Sequence, residues 1–598
     1  TDSIPFTKLR LYSWPGRPVL AESNWCPGCD YRQVALGLED FGGDGKLSNN
    51  QDAFYFYAQG PSDWADRFDS SFPDTTYIKN PYETQNYYFL SFDRPAQGDV
   101  PFTDAPARIS ASPGDNVTPR DDGTENEPTT FTARLRFEID SANEYYPSLY
   151  RTYAPLVDGL EPWAWEKFLW RGLTAGGSFT QTVRTPGADP TVPATLRVRS
   201  WGTGGLGNCS TFYPPHLQDV VFAAAAGGGG YDSTRVSWFD LQAVTARLFP
   251  YLDTLNTFRV RVPFLTDCPS RFDQSTLSWY DVTYARKFKP DPNELWFDSP
   301  GNGNAIYRIG PFQNLTMPRM FDVTDSFAPR EMTTDSAQIL TQTGFLPIEV
   351  NESGPRRYAI LPSASFIKPA ASAFAEASSF SGEHLRAKDR VADQIIIYYD
   401  GFKEAADSLA RWRESRMPLE SHVAPYHVTS LPVSAIYDQF SGGRTDPGAI
   451  RNFLRTAFYN WRMGGHGAPA FVTLFGDASF DFRNLLGLAG TGQPGCLIPS
   501  FENNIVGGVQ YCTDDWLLNV DDAPIGAIPD FFGGRIPAGD AVSAMDYVRR
   551  KLFFHERSAP TGAYRNRVMF IADDDLQGEN VDYLYWKHLQ QTTELDTS

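Results

Sequence analysis

The chain has 598 residues, too many for one hydrophobic core, and at about 100–200 residues per domain it divides into three or four domains. Its 52 basic and 72 acidic residues leave a formal charge of −20, which disfavours nucleic acid and anionic membrane as partners. No apolar run reaches the about 18 residues a membrane span needs, and Thr1 opens no basic-then-apolar leader, so the chain reads as starting after processing or as cut from something longer.

From Leu9 to about Ala105, short β-type runs alternate with turn clusters. Ala53-Phe-Tyr-Phe-Tyr57 and Tyr87-Tyr-Phe-Leu-Ser-Phe92 are the clearest strands there. A Pro-, Asp-, Gly- and Thr-rich stretch over 106–127 reads as a loop or linker. Thr132–Ile139 and Ala194–Arg199 alternate polar and apolar residues, as strands with one wet face do. Between them, Trp163–Trp170 is expected to form a short helix, and Ala223–Gly230 a surface loop. Strand signals run on to about Phe366, which together make one or two β-sandwiches. Lys368–Ser381 reads as a linker.

After Asp393 the period changes. Gln394–Tyr399 is a buried strand, Phe402–Arg416 a helix, and Val423–Val428 a second strand. Asp446 then caps a helix with Pro447 in its first turn, whose buried face is Ile450, Phe453, Leu454, Phe458 and Trp461. Phe471–Phe475 is a third strand, ended by Gly476 and followed at once by Asp477. Further on come Phe531-Phe532, a helix over 541–555, a strand at Arg567–Ala572 and a helix from about Val581. This alternation predicts a mostly parallel sheet with helices on both faces. The resulting layout is a β-rich domain over 1–110, a β-sandwich region over 111–367, a linker over 368–392 and the first half of an α/β domain over 393–598.

Acidic residues cluster near the ends of the α/β strands: Asp477, Asp481, Asp514-Asp515, Asp521-Asp522, Asp530 and Asp573-Asp574-Asp575. Oxygen-rich groups of this kind suit calcium, which takes six to eight carboxylate and carbonyl ligands, although loop and helix-cap chemistry uses the same residues. The Asp573 triplet reads as a solvated loop. Asp44–Asp52 resembles a calcium loop in composition, but lacks Gly at its sixth position and Glu at its twelfth, so a hairpin connection is expected. Cys26 and Cys29 form a Cys-x-x-Cys outside any βαβ setting, which favours a local disulfide or plain turn over a redox centre. Cys496 and Cys512 bracket a long loop that they are placed to staple. His466, ahead of the third strand, falls at the sheet edge away from ligands and reads as a loop residue. No Ser-His-Asp, His-Glu-x-x-His, Walker or dinucleotide pattern is present.

Several motifs carry a family resemblance. Tyr437-Asp-Gln-Phe440, Asp446-Pro-Gly-Ala-Ile-Arg-Asn-Phe453, Leu474-Phe-Gly-Asp477-Ala-Ser-Phe-Asp481-Phe-Arg-Asn484, Thr513-Asp-Asp-Trp516, Gly534-Arg-Ile-Pro537 and Asn566–Asp574 resemble the gingipain-type cysteine peptidase family. Within it they are most similar to the sortase branch that serves type IX secretion. Phe54–Pro61, Asn86–Leu90 and Phe321–Asp325 resemble that branch's β-rich region, and the span from about Asp115 to Pro311 matches least.

The resemblance implies a caspase-like α/β fold and a cysteine endopeptidase or transpeptidase. Its catalytic His and Cys would follow the strand ending at Ala572, beyond residue 598, so no catalytic residue is placed within this chain. It also implies structural calcium at Asp477, Asp522 and Asp530, with a backbone carbonyl near Val520. The expected setting is the bacterial outer-membrane surface or the extracellular space. Expected partners are protein substrates, secretion-system or outer-membrane proteins, and the remaining C-terminal part of the same gene product. Two other readings stand beside it: a non-catalytic surface or secretion-complex protein that binds partners through its β-sandwiches, and a hydrolase using a metal at the acidic loops.

Overall fold

In the computed structural model, the described residues are 3–14, 31–48, 52–64, 66, 76–92, 105–112, 125–143, 163–171, 177–206, 216–224, 233–238, 242–249, 254–263, 272–301, 303–313, 318–332, 343–375, 384–416, 425–489, 494–505, 509–521, 529–558, 562 and 567. The expected strand at Arg567–Ala572 and the helix from Val581 fall almost wholly outside them. The chain divides into two compact units, Thr1–Gly539 and Asp540–Ser598.

The N-terminal part of the first unit is β-rich, as the alternating runs require. Arg10–Ser13 pairs antiparallel with both Arg32–Val34 and Tyr88–Ser91. Further along, Thr130–Glu138, Phe272–Lys287, Ala194–Leu206 and Gln242–Phe249 form one antiparallel sheet, and Ser178–Arg184, Leu255–Arg261, His216–Ala224 and Ser233–Trp238 form another. Inward-facing apolar residues of both sheets share one core, in which Phe258 stacks on Tyr280 with ring centroids 3.8 Å apart. Sheets facing each other through alternate side chains make a sandwich.

The helix expected over Trp163–Trp170 is instead two strands, Trp163–Ala164 and Glu166–Arg171. Glu166–Arg171 pairs with the 272–277 stretch of the long strand Phe272–Lys287, so ladder hydrogen bonds to that neighbour override a local pattern that fits either period.

We number the elements of the α/β region β1 (Gln394–Tyr398), α1 (Lys403–Arg416), β2 (Val428–Pro432), α2 (Val433–Phe440), α3 (Pro447–Asn460), β3 (Phe471–Phe475), α4 (Asp515–Leu518) and β4 (Phe532–Ile536). The sheet is wholly parallel in the order β2-β1-β3-β4. All five residues of β1 are buried, consistent with cover on both faces. On one face, α1 buries Ala405, Ala406 and Leu409; on the other, Ile395, Ile397, Leu431, Val472 and Leu474 share a core with Ile436, Phe453 and Leu454. Helix α3 starts as its sequence dictates: Asp446 Oδ1 accepts the Gly448 N–H at 2.8 Å and Pro447 opens the helix. Of the five residues assigned to its buried face, Ile450, Phe453, Leu454 and Trp461 are fully buried and Phe458 partly so.

The second strand starts at Val428, later than Val423–Val428 would place it. Asp393 is the reason. Its N–H donates to the His427 carbonyl at 2.8 Å and its Oδ2 accepts the His427 N–H at 2.7 Å, so pairing with β1 begins one residue on. The Asp393 carbonyl also accepts the Ala470 and Phe471 N–H groups. One residue thereby aligns the amino ends of β1, β2 and β3.

The β-rich part docks on this region through specific contacts. Trp14 lies over Gly442 (φ +66°), where an added Cβ would meet the Trp14 Cβ at 2.2 Å, and Tyr87 lies over Gly443 (φ +85°). Tyr31 donates its hydroxyl to the Asp438 carbonyl, and Arg386 lies over the Trp14 ring at 5.4 Å. Tyr82 packs edge-on against Phe482 at 4.6 Å, and Arg483 pairs with Asp140.

In the second unit, Asp540 caps helix Ala541–Asp546 by accepting the Val542 and Ser543 N–H groups at 2.8 Å each. A π-helical stretch, Tyr547–Phe553, and a last turn, Phe554–Ser558, follow.

Candidate functional site: the carboxyl edge of the parallel sheet

In open α/β sheets, ligands bind beyond the carboxyl ends of the strands, where the strand order reverses. Here the reversal falls between β1 and β3, since the chain goes from β1 out to β2 and then back across to β3. The carboxyl edge is built from the segments after β1, β3 and β4, with the stretch 494–498 laid along them.

Arg535, near the end of β4, organises it. Its Nε and Nη2 donate to the two carboxylate oxygens of Asp514 at 2.9 and 2.6 Å. Its Nη1 donates to the carbonyls of Gly476 (2.9 Å) and Ile498 (2.8 Å). The Asp477 carbonyl accepts the Leu497 and Ile498 N–H groups, and the Ser479 N–H points at Cys496 Sγ at 3.4 Å. Asp481 is buried and folds the next turn, its two oxygens accepting the Leu485 and Leu486 N–H groups at 2.7 Å each. Gly495 fits only as glycine, since a Cβ there would meet the Asp481 carbonyl oxygen at 2.0 Å.

Across the edge, Ser434 on α2 donates to Asp400, which follows β1. One turn further along α2, burial raises the Asp438 carboxyl to a pKa of about 6, with the negative charge of Asp400 adding to the effect. The Tyr437 hydroxyl is buried without a hydrogen-bond partner among the described residues; desolvation, then the nearby Cys496 thiol, push its pKa well up.

Of the residues expected to hold calcium, the described two, Asp477 and Asp530, are not brought together. Asp477 is exposed beyond the carboxyl end of β3. Asp530 lies just before β4, and Phe471 of β3 stands opposite Phe532 of β4, so Asp530 is at the amino edge. The strand between these edges is about 13 Å long at about 3.3 Å per residue, whereas ligands of one calcium sit 2.3–2.6 Å from the ion. Asp530 has a structural task instead: its Oδ2 accepts the Val520 and Asp521 N–H groups at 2.7 and 3.0 Å. The Val520 carbonyl accepts Arg455 Nη1 at 2.8 Å, so a guanidinium stands where the calcium was expected. Asp522 lies outside the described residues, as do Cys26, Cys29 and the Asp573 triplet, and the Cys512 side chain is likewise not described.

Two further features stand outside this edge, the first of which the sequence did not reveal and the second of which fits the hairpin connection expected over Asp44–Asp52. His466 is no free loop residue: its side chain is 5% exposed and its Nδ1 lies 3.2 Å from Asp393 Oδ1 at the amino edge. Asp40, Asp44 and Asp52 bring carboxylate oxygens within 4.8 Å of one another. These carboxylates accept N–H groups of Gly42, Asp44, Gly45, Lys46 and Ser48, the pattern of a clamped hairpin connection.

Residues 387–597 match the model of Peptidase family C25, and most of the gingipain-like motifs read from the sequence fall within this stretch. Among solved structures, dimeric latent PorU from Porphyromonas gingivalis matches with a TM-score of 0.62 and 16% identity, over 95% of this chain and 48% of that one. The likeness extends the shared fold through the β-rich part as well, and the chain spans about half the length of that PorU chain. A structure of infectious bursal disease virus Gt strain (TM-score 0.13, 9% identity, 60% of this chain, 79% of that one) and one of the Macrobrachium rosenbergii nodavirus (0.10, 9%, 45% and 98%) match far more weakly. No curated protein sequence matches the chain.

Two outcomes follow from this geometry. Asp530→Ala should cost about 1–3 kcal/mol in urea unfolding by orphaning two amides, whereas exposed Asp477→Ala should stay within about 0.5 kcal/mol. Equal losses would restore a shared site. Because the Asp438 pKa is raised on folding, its contribution declines as pH rises from about 4 to 6, so Asp438→Asn should raise the melting temperature at pH 7.5 and leave it unchanged near pH 4.

Proposed function

We propose that this chain is the β-rich region and first part of the peptidase domain of a sortase-like cysteine peptidase that processes secreted proteins at the bacterial cell surface, in type IX secretion. The observation that carries the reading is the C25 match over the parallel-sheet region, joined to a PorU-like fold along 95% of the chain. Cysteine peptidase chemistry needs a thiolate, an imidazole within reach of it and donors for the oxyanion. Among the described residues Cys496 lies at the carboxyl edge, whereas His427 and His466 lie together at the amino edge, with ring centroids 5.2 Å apart. A His–Cys pair beyond residue 598, on later strands of the same domain, fits this arrangement. The partners are then secreted protein substrates and outer-membrane or secretion-system proteins.

The test uses the full gene product. Its sequence after Ser598 should contain a His following one strand and a Cys following the next, and a thiol-directed peptide probe should label that Cys and lose the signal on Cys→Ala. A product without the pair, or one the probe does not label, favours a non-catalytic binding protein.

A further inference from the structure

Between the β-rich and α/β parts of the first unit, the chain is anchored at two points. Phe366 packs on Tyr55 and Phe321 with ring centroids at 5.4 and 6.3 Å, and Leu385 is fully buried, its N–H donating to Gln439 Oε1 at 2.9 Å. Past the first anchor, 367–375 is exposed at every position, Ile367 by 93% and Phe374 by 62%. Its backbone hydrogen bonds among the described residues are local, from Ala373 to Ala370 and from Phe374 to Ala371. Two other exposed loops among the described residues are clamped by side chains: 40–48 by Asp40, Asp44 and Asp52, and 484–489 by Asp481 and Asn484.

An endopeptidase binds its substrate as an extended strand, so it needs a run of exposed backbone free of ladder hydrogen bonds. We infer that 367–375 is a proteolytic processing site whose cleavage leaves a two-chain protein held together by its docking contacts. The residues also select the enzyme. The one basic residue, Lys368, precedes Pro369, whose ring replaces the amide N–H at the bond to be cut and blocks basic-specific enzymes. Ala370-Ala-Ser-Ala-Phe374-Ala375 offers small and aromatic side chains, so the partner is an endopeptidase with a small or aromatic preference. Hydrolysis adds one water across the peptide bond and leaves a new carboxylate and a new amine. After the cut, Trp14 on Gly442, Tyr31 on the Asp438 carbonyl, Tyr82 on Phe482 and Arg483 with Asp140 still join the two fragments.

Limited digestion of the intact chain with elastase and with chymotrypsin, read by mass spectrometry, tests this without reference to peptidase activity. The first cut should fall within 370–375 with both enzymes, trypsin should leave the Lys368–Pro369 bond whole, and the fragments should co-elute on native size exclusion. Arg483→Ala with Trp14→Ala should make the nicked fragments separate while the uncut variant still elutes as one folded species. A first cut elsewhere overturns the site; fragments that separate in the unmutated protein overturn the two-chain form.

Discussion

The carboxyl edge of the parallel sheet depends on the side chain of Arg535. A parallel strand ends in a row of carbonyls, and the loops leaving it need partners for their backbone groups once they are covered. Arg535 answers for three segments at once: the exit of β3 at Gly476, the returning stretch at Ile498, and the start of α4 at Asp514. A planar guanidinium can grip a carboxylate with two donors and still turn another toward carbonyls, which a lysine ammonium does with less geometric definition. The ion pair is only 13% and 26% exposed, so solvent screens it little and its hydrogen bonds fall in the range of about 1.5–3 kcal/mol typical of charged partners.

The opposite edge is fixed by a different device. Asp393 ties three strand starts and the His466 ring, so the sheet is pinned at both ends by a charged residue whose partners are mostly backbone. Between the pins, β1 and β3 are held in register, and the loop that follows β3 projects in a fixed direction. That loop also carries Phe482 and Arg483, which meet Tyr82 and Asp140. The β-rich part is thus seated directly on the loop that leaves the carboxyl edge, and a displacement there would be felt at Arg535 through Gly476.

Much of the α/β region could be read from the residues. Asp446-Pro447 marked a helix start, the 3.6-residue spacing from Ile450 to Trp461 marked its buried face, and the unbroken apolar runs marked β1 and β3. The β-rich N-terminal part followed from alternation. What failed depended on partners far along the chain. Trp163–Trp170 fits either period, and only the strand it pairs with, more than a hundred residues on, decides between them. The His466 ring is covered where it meets Asp393, 73 residues earlier. The separation of Asp530 from Asp477 was legible too: a residue just before a parallel strand lies at the amino edge, and one just after lies at the carboxyl edge. Arg535 stood inside a motif that marked the family, yet a charged residue at the end of a half-buried strand was itself a signal that loop carbonyls and a carboxylate wait there.

A double-mutant cycle on Arg535→Ala and Asp514→Ala, read by urea unfolding of the intact chain, measures the tie on which this arrangement rests. Each single change should be costly, and the pair should cost less than the sum by about 1.5–3 kcal/mol, with the loop after β3 losing hydrogen-exchange protection at Asp477–Asn484 in Arg535→Ala. Additive losses with that loop still protected would contradict the account, because the edge would then hold its shape without Arg535.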